Sequence, residues 1–207
     1  MTVRLQAAIV ALAAALACGL LGSGVSEAPP GALDRSGGAL AGELPEIAQV
    51  LTASCWWYVL VALGVAAIVF AIVRPEWRAR VAFSIVTTLV AWQGSDAIKN
   101  VFARSRPPYW ILNHETSWSY PSGHAMFAVV VYGLWSYYVA TSGLPPSMRR
   151  GFSAALALWG IGVIWSRLAL GAHYVTDLAG GVLFGITMLA IATSVAGRIP
   201  ELRRTTA

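Results

Sequence analysis

The chain has 207 residues, 57% of them hydrophobic and 11% charged, with a net charge of +5. A soluble domain carries roughly 25% charged residues, so this composition excludes a disordered chain and argues against a soluble globular one. It also argues against nucleic-acid binding, which needs basic residues gathered into a patch; here the arginines stand at the ends of apolar runs.

Six runs contain no Asp, Glu, Lys or Arg: 5–26, 47–73, 81–95, 116–148, 151–166 and 178–197. A helix of about 20 apolar residues crosses a bilayer, and unpaired backbone amides are too costly in hydrocarbon for a span to be anything but helical. The runs therefore predict an all-α polytopic membrane bundle, one domain over 1–207. Its six transmembrane helices are expected at 3–21, 53–73, 81–97, 124–140, 152–168 and 174–196.

The first run reaches full spanning length, which predicts a retained helix rather than a cleaved signal peptide. Cys18 is a poor lipoprotein acceptor because Ala15 stands where a Leu-like residue is expected. Residues 23–50 form a connector on the outer side; Leu40, Leu44, Ile47 and Leu51 stand at helical spacing, which suits either an interfacial helix or a loosely packed linker. Cys18 and Cys55 fall near the outer ends of the first two helices, which leaves open a bridge in an oxidising compartment, although two buried thiols are the expected state. The third helix turns polar at Gln93, Ser95 and Asp96, and the fifth has only sixteen uncharged residues before Arg167; polar helix ends at membrane depth face a cavity or a site. On the sixth, Gly181 and Gly185 form a small-xxx-small pair suited to close helix packing. With a cytoplasmic N-terminus, nine of the fourteen basic residues fall inside, which favours that orientation for both termini.

Three polar clusters interrupt the apolar chain: Lys99 with Arg106-Pro107, Pro121-Ser122-Gly123-His124, and Ser166-Arg167 with His173 and Asp177. In the six-span layout all three fall on the outer side. Lys99, Arg106 and Arg167 supply positive charge suited to phosphate oxygens. Ser122 and Gly123 precede a helix, whose first amides favour an anion. His173 and Asp177, four apart, share one helix face, so the carboxylate can hold one imidazole nitrogen and leave the other as nucleophile or base. His124 is placed as a second acid–base group. Singly, each has an ordinary explanation: topology markers, an interfacial histidine, a helix N-terminal charge, turn chemistry. Together, ionisable groups at membrane depth point to function. Arg104, His114, Asp96 and Glu115 lie near the clusters without a defined partner in sequence.

The three clusters resemble the signature of the type 2 phosphatidic acid phosphatase family: Lys, six residues, Arg-Pro; Pro-Ser-Gly-His; Ser-Arg, five residues, His, three residues, Asp. Every motif position is matched between Lys99 and Asp177, and three motifs at fixed spacing are far more specific than one. Residues 23–50 carry no motif. The resemblance implies a membrane lipid phosphatase that uses no metal or other cofactor. His173 would form a phosphohistidine, Asp177 would orient it, and His124 would protonate the leaving oxygen and then activate water. Lys99, Arg106, Ser122, Gly123 and Arg167 would hold the phosphate. No Cys or His spacing resembles a zinc site.

A lipid substrate fits the aromatics Trp56, Trp57, Tyr58, Tyr109, Trp110, Trp118, Tyr120 and Tyr174, all expected near the outer interface, where Trp and Tyr anchor. Tyr109, Trp110 and Trp118 are candidates to border an entry for a lipid tail. The expected substrate is undecaprenyl diphosphate, phosphatidylglycerophosphate or phosphatidic acid, at the extracytoplasmic face of the cell membrane. Two other readings remain at this level: a phosphotransferase of the same family acting on a lipid or sugar acceptor, and a non-catalytic membrane protein that binds anionic headgroups.

Overall fold

The computed structural model describes residues 3–108, 116–199 and 202, with the side chains of Val3 and Arg4 left aside. The regular secondary structure of the described residues is all helix, with no strand. In chain order they form α1 (Val3–Val25), α2 (Ala32–Gly38), α3 (Pro45–Ala53), α4 (Trp57–Val73), a 3-10 turn (Pro75–Trp77), α5 (Arg78–Phe102), α6 (Gly123–Phe127), a π turn (Ala128–Tyr132), α7 (Gly133–Ala140), α8 (Pro146–Ala169) and α9 (Val175–Ala196).

Four of these segments, Leu5–Val25, Pro75–Phe102, Pro146–Ala169 and Val175–Ala196, are long and apolar enough to cross a membrane. The pair α3 and α4, bent by 50°, makes a fifth if it is one span. The helix expected at 124–140 is helical along its length but broken by the π turn, so it is not one uninterrupted helix of spanning length. Such turns are rare and occur often beside functional sites. Here α8 approaches the break closely: a Cβ on Gly160 would lie 3.2 Å from the carbonyl oxygen of Ala128.

Burial is inverted relative to a water-soluble protein. Leu12, Leu16, Leu20, Val61, Val65, Ile72, Leu158 and Ile161 are exposed, while Lys99, Arg104, Arg167, His173 and Asp177 are buried. Apolar exposure on this scale marks a surface that meets lipid.

The centre is held by close approaches to α9. α1 runs antiparallel to it, with the Cys18 thiol 3.5 Å from the Gly180 carbonyl and the Thr187 hydroxyl 3.5 Å from that of Ala11. The missing side chains of Gly180 and Gly181 leave room for the Tyr120 ring and the Ser122 carbonyl, and a Cβ on Gly185 would stand 2.7 Å from that of Val129. The pair Gly181 and Gly185 thus packs within the bundle, as small residues do between membrane helices. Cys18 and Cys55 are buried free thiols.

The connector is packed rather than loose. On α3, Ala48 and Thr52 are buried while Ile47 and Val50 face outward. Leu51 fills the space left by Gly162 of α8, and a Cβ on Gly37 of α2 would strike the side chain of Val175.

Gly181→Ala would set its methyl group against the Ser122 carbonyl, with the Ala125 Cβ 2.9 Å away. It is expected to cost about 1–3 kcal/mol, as overpacking does. Gly19→Ala, where a Cβ meets open space, is expected to leave stability unchanged. Thermal denaturation in detergent compares the two, and equal midpoints would contradict the packing described.

Candidate active site

The three polar clusters meet at one end of the bundle, where α5 and α8 finish and α6 and α9 begin. α5 runs on to Phe102, five residues past the expected boundary, so Lys99 lies within its last turn. Ser95 and Lys99, four apart, are buried on one face, while Asp96 is exposed. The chain leaves α5 through Ala103 in the left-handed conformation (φ 45°). It returns toward α6 with the Ser119 N–H donating to the Arg104 carbonyl at 2.8 Å. The Tyr120–Pro121 peptide bond is cis.

His173 lies at the centre and is almost fully buried. Arg106 Nη1 stands 3.1 Å from its Nε2. A guanidinium only donates hydrogen bonds, so Nε2 must accept, and the proton of the neutral ring sits on Nδ1. Nδ1 lies 3.3 Å from Ser119 Oγ and 3.5 Å from Asp177 Oδ2. The Ser119 hydroxyl donates to Asp177 Oδ2 at 2.5 Å. A continuous path thus runs from the imidazole N–H through the serine hydroxyl to the carboxylate. Asp177 is pinned further by the Tyr174 N–H, which donates to Oδ2 at 2.9 Å.

The remaining motif residues surround this pair. Lys99 Nζ donates to Ser117 Oγ at 3.2 Å, and Arg106 donates to the same hydroxyl at 2.9 Å and to the Ser117 carbonyl at 2.8 Å. The Ser122 N–H donates to the Asp177 carbonyl at 3.0 Å, while its hydroxyl caps α6 by accepting from the Ala125 N–H at 3.4 Å. A Cβ on Gly123 would lie 3.9 Å from Lys99 Nζ, so the helix start faces the lysine across a narrow gap. His124 stands in the combined field of Arg167, Lys99 and Arg106. Its Nε2 is buried and makes no hydrogen bond among the described residues. Arg167, from the last turn of α8, is buried and donates to Thr52 Oγ1 at 2.6 Å. Among the described residues no group of three His, Cys, Asp or Glu side chains is placed to hold a metal ion.

Three residues at the site had no signal in the sequence. Ser119 lies outside the motif positions. Arg104, which lacked a partner by spacing, is buried and ion-paired twice: to Asp177 Oδ1 at 2.6 Å and to Asp34 Oδ2 at 2.7 Å. Burial works against its charge, but the carboxylates of Asp177 and Asp34 more than offset this and hold the guanidinium above its ordinary pKa. Asp34 comes from the connector, which carries no motif.

Two expected interface aromatics are instead internal. Tyr120 is fully buried, donating to the Cys18 carbonyl at 2.5 Å, and Tyr174 lies under Arg104, whose guanidinium carbon is 4.4 Å from the ring centroid. Both rings serve the site's packing, Tyr174 through a cation–π contact. Trp57, Tyr58 and Trp118 are exposed, as an interface belt requires. Tyr109, Trp110, His114 and Glu115 lie outside the described residues.

Replacing Arg104 by Met would leave Asp34 and Asp177 buried without their counter-ion, and is expected to destabilise by about 3–5 kcal/mol. Replacing the exposed Arg35 by Ala is expected to change stability by no more than about 0.5 kcal/mol. A thermal shift below 1 °C for Arg104→Met in detergent would contradict this account, since a loss of about 1 kcal/mol alone moves a midpoint by several degrees.

The PAP2 superfamily model matches residues 56–200 of this chain. A protein named phosphatidylglycerophosphatase B from Escherichia coli is 34% identical over 117 residues, covering 54% of this chain and 44% of its own. One of the same name from Bacillus subtilis is 32% identical over 109 residues, covering 52% and 53%. The chain thus spans about half the length of these curated relatives. A crystal structure described as a transmembrane PAP2 type phosphatidylglycerolphosphate phosphatase from Bacillus subtilis superposes with a TM-score of 0.78 at 22% identity, over 93% of this chain and 98% of that one. The match runs from the start of α4 past the end of α9 and takes in every residue of the three clusters; this chain belongs to the PAP2 superfamily.

Proposed function

We propose that the protein is a membrane lipid phosphatase that hydrolyses a lipid phosphate ester through a phosphohistidine on His173. The observation that carries this reading is the set of bonds around the imidazole: Nε2 faces Arg106 at 3.1 Å as an acceptor, and Nδ1 is backed by Ser119 and Asp177. A ring so held presents its lone pair toward the cations, where a phosphate would lie. The names of the relatives favour phosphatidylglycerophosphate as substrate; phosphatidic acid carries the same phosphomonoester, and in undecaprenyl diphosphate the terminal phosphorus would lose a lipid monophosphate in place of an alcohol.

In this mechanism the phosphate enters between Lys99, Arg106 and Arg167, with the Ser122 hydroxyl and the Gly123 N–H completing the cradle. Arg106 exchanges its contact with Nε2 for phosphate oxygens and frees the lone pair. Nε2 attacks phosphorus, the bond to the lipid oxygen breaks, and His124, protonated once the bound phosphate's negative charge offsets the cations around it, gives its proton to that oxygen. Asp177, acting through Ser119, stabilises the positive charge that develops on the ring. His124, now neutral, takes a proton from water, which attacks the phosphohistidine and releases phosphate and free His173. Phosphoryl transfer depends mainly on positioning and charge stabilisation, and three cationic side chains supply the charge.

The site is proposed to face the extracytoplasmic side, with both chain ends cytoplasmic. Arg74, Arg78, Arg80, Arg149, Arg150 and Arg198 lie at or beyond the helix ends remote from the site, the distribution that basic residues adopt on the cytoplasmic side.

The test is phosphate release by purified protein in detergent from phosphatidylglycerophosphate, phosphatidic acid and undecaprenyl diphosphate. His173→Ala is expected to remove turnover while leaving the fold intact, and activity near wild type would overturn the nucleophile. Lys99→Ala and Arg106→Ala are each expected to cost about 10²–10³ in rate, by analogy with losing one oxyanion donor. EDTA is expected to leave the rate unchanged, and a strict magnesium requirement would contradict the role given to the cations.

A further inference from the structure

The connector between α1 and α4 precedes the stretch matched to the superfamily, which begins at residue 56, yet it reaches the site. Asp34, in the first turn of α2, is 2% exposed. Its Oδ2 accepts from Arg104 Nη2 at 2.7 Å, and its Oδ1 accepts from the Thr176 N–H at 3.0 Å and the Thr176 hydroxyl at 2.9 Å. Arg104 in turn donates to Thr176 Oγ1 at 2.7 Å and to Asp177 Oδ1 at 2.6 Å. One guanidinium therefore sits between two buried carboxylates, one of which backs His173.

A buried carboxylate is costly unless charge and hydrogen bonds surround it, and Asp34 accepts bonds at both oxygens. The contact is also close in space. Gly37 lies so near Val175 that a Cβ there would collide with it, which seats α2 on the first turn of α9, the turn that carries Thr176 and Asp177. The other connector helix makes a parallel contact through Thr52 and Arg167.

We propose that Asp34 is a positioning residue of the active site: through Arg104 and Thr176 it fixes the first turn of α9, so that Asp177 and Ser119 hold His173 with Nε2 toward the substrate. This rests on His173 being the nucleophile. Because Asp34 lies behind Asp177, away from the groups that would bind phosphate, its loss acts on the chemical step and not on substrate binding.

The experiment measures kcat and KM for phosphatidylglycerophosphate with the full chain in detergent, per folded molecule counted by size-exclusion chromatography. Asp34→Asn is expected to lower kcat about 10- to 100-fold, the range seen when outer partners of a functional ligand are removed, with KM within about twofold. Thr176→Val removes the hydroxyl that links Arg104 to Asp34 without stranding a charge, while the backbone N–H stays on Asp34 Oδ1 and the Arg104–Asp34 pair remains; it is expected to lower kcat by about 3- to 10-fold, the worth of one hydrogen bond, at unchanged KM. It serves as the reading if Asp34→Asn does not fold. Glu46→Gln, an exposed acid on the same connector, is expected to match wild type. Wild-type kcat in either Asp34→Asn or Thr176→Val, or a loss confined to KM, overturns the proposal. His173→Ala in the same assay separates the two readings. If it is inactive while Asp34→Asn and Thr176→Val keep wild-type kcat, the connector's role alone fails; if it is active, the nucleophile assignment fails and takes this proposal with it.

Discussion

The polar end of this bundle depends on the sharing of Arg104 between Asp34 and Asp177. All three side chains are buried, in a protein whose outer surface is apolar. Removing ions from water costs several kcal/mol each, and only dense pairing offsets it. With Oδ1 held by Arg104, Asp177 keeps Oδ2 for the Ser119 hydroxyl and the Tyr174 N–H. Ser119 then faces Nδ1 of His173 while Arg106 faces Nε2. The tautomer of the imidazole thus follows from donors and acceptors already committed elsewhere.

That arrangement requires helix ends closer together than ordinary side chains permit. α9 meets the Tyr120–Val129 stretch through Gly180, Gly181 and Gly185, and the Ser122 N–H can then reach the Asp177 carbonyl at 3.0 Å. Tyr120 fills the gap, with its ring 5.3 Å from that of Phe102 and its hydroxyl on the Cys18 carbonyl of α1. The far end is closed differently: Arg80 lies over Trp77 at 4.9 Å, and Trp77 stacks on Trp135 at 6.0 Å. Among the described residues, the buried ion pairs lie at the site end; at the other end the buried Arg80 is met by aromatic rings.

Much of this was legible in the chain because it is local. Runs without charge gave the long helices, and the short spacing of His173 and Asp177 marked them as neighbours; the shared helix face it predicts is not what joins them, because α9 begins at Val175 and His173 lies in the loop before its N-cap Tyr174. The polar end of α5 proved to carry Ser95 and Lys99 inward. Other features depend on distance along the chain. Asp34 is 70 residues from Arg104, and Arg104 is 73 from Asp177, so no local pattern marks them as partners. Ser119 is one serine among several in its loop, and only the fold sets it between His173 and Asp177. Tyr120 and Tyr174 read as interface anchors because the same residue types serve both places, and the break at Ala128–Tyr132 has no signature in a run of alanine, valine and tyrosine.

In the proposed reaction the Nε2 lone pair of His173 attacks phosphorus and a covalent phosphohistidine forms. The most direct measurement is rapid-quench capture of labelled phosphate on the enzyme during turnover of a labelled lipid phosphate, followed by mapping of the modified peptide. The expected result is an acid-labile, base-stable label on His173 that accumulates before steady state and is absent from His173→Ala. Full turnover with no covalent label at any time after mixing, or a label on another residue, would contradict it.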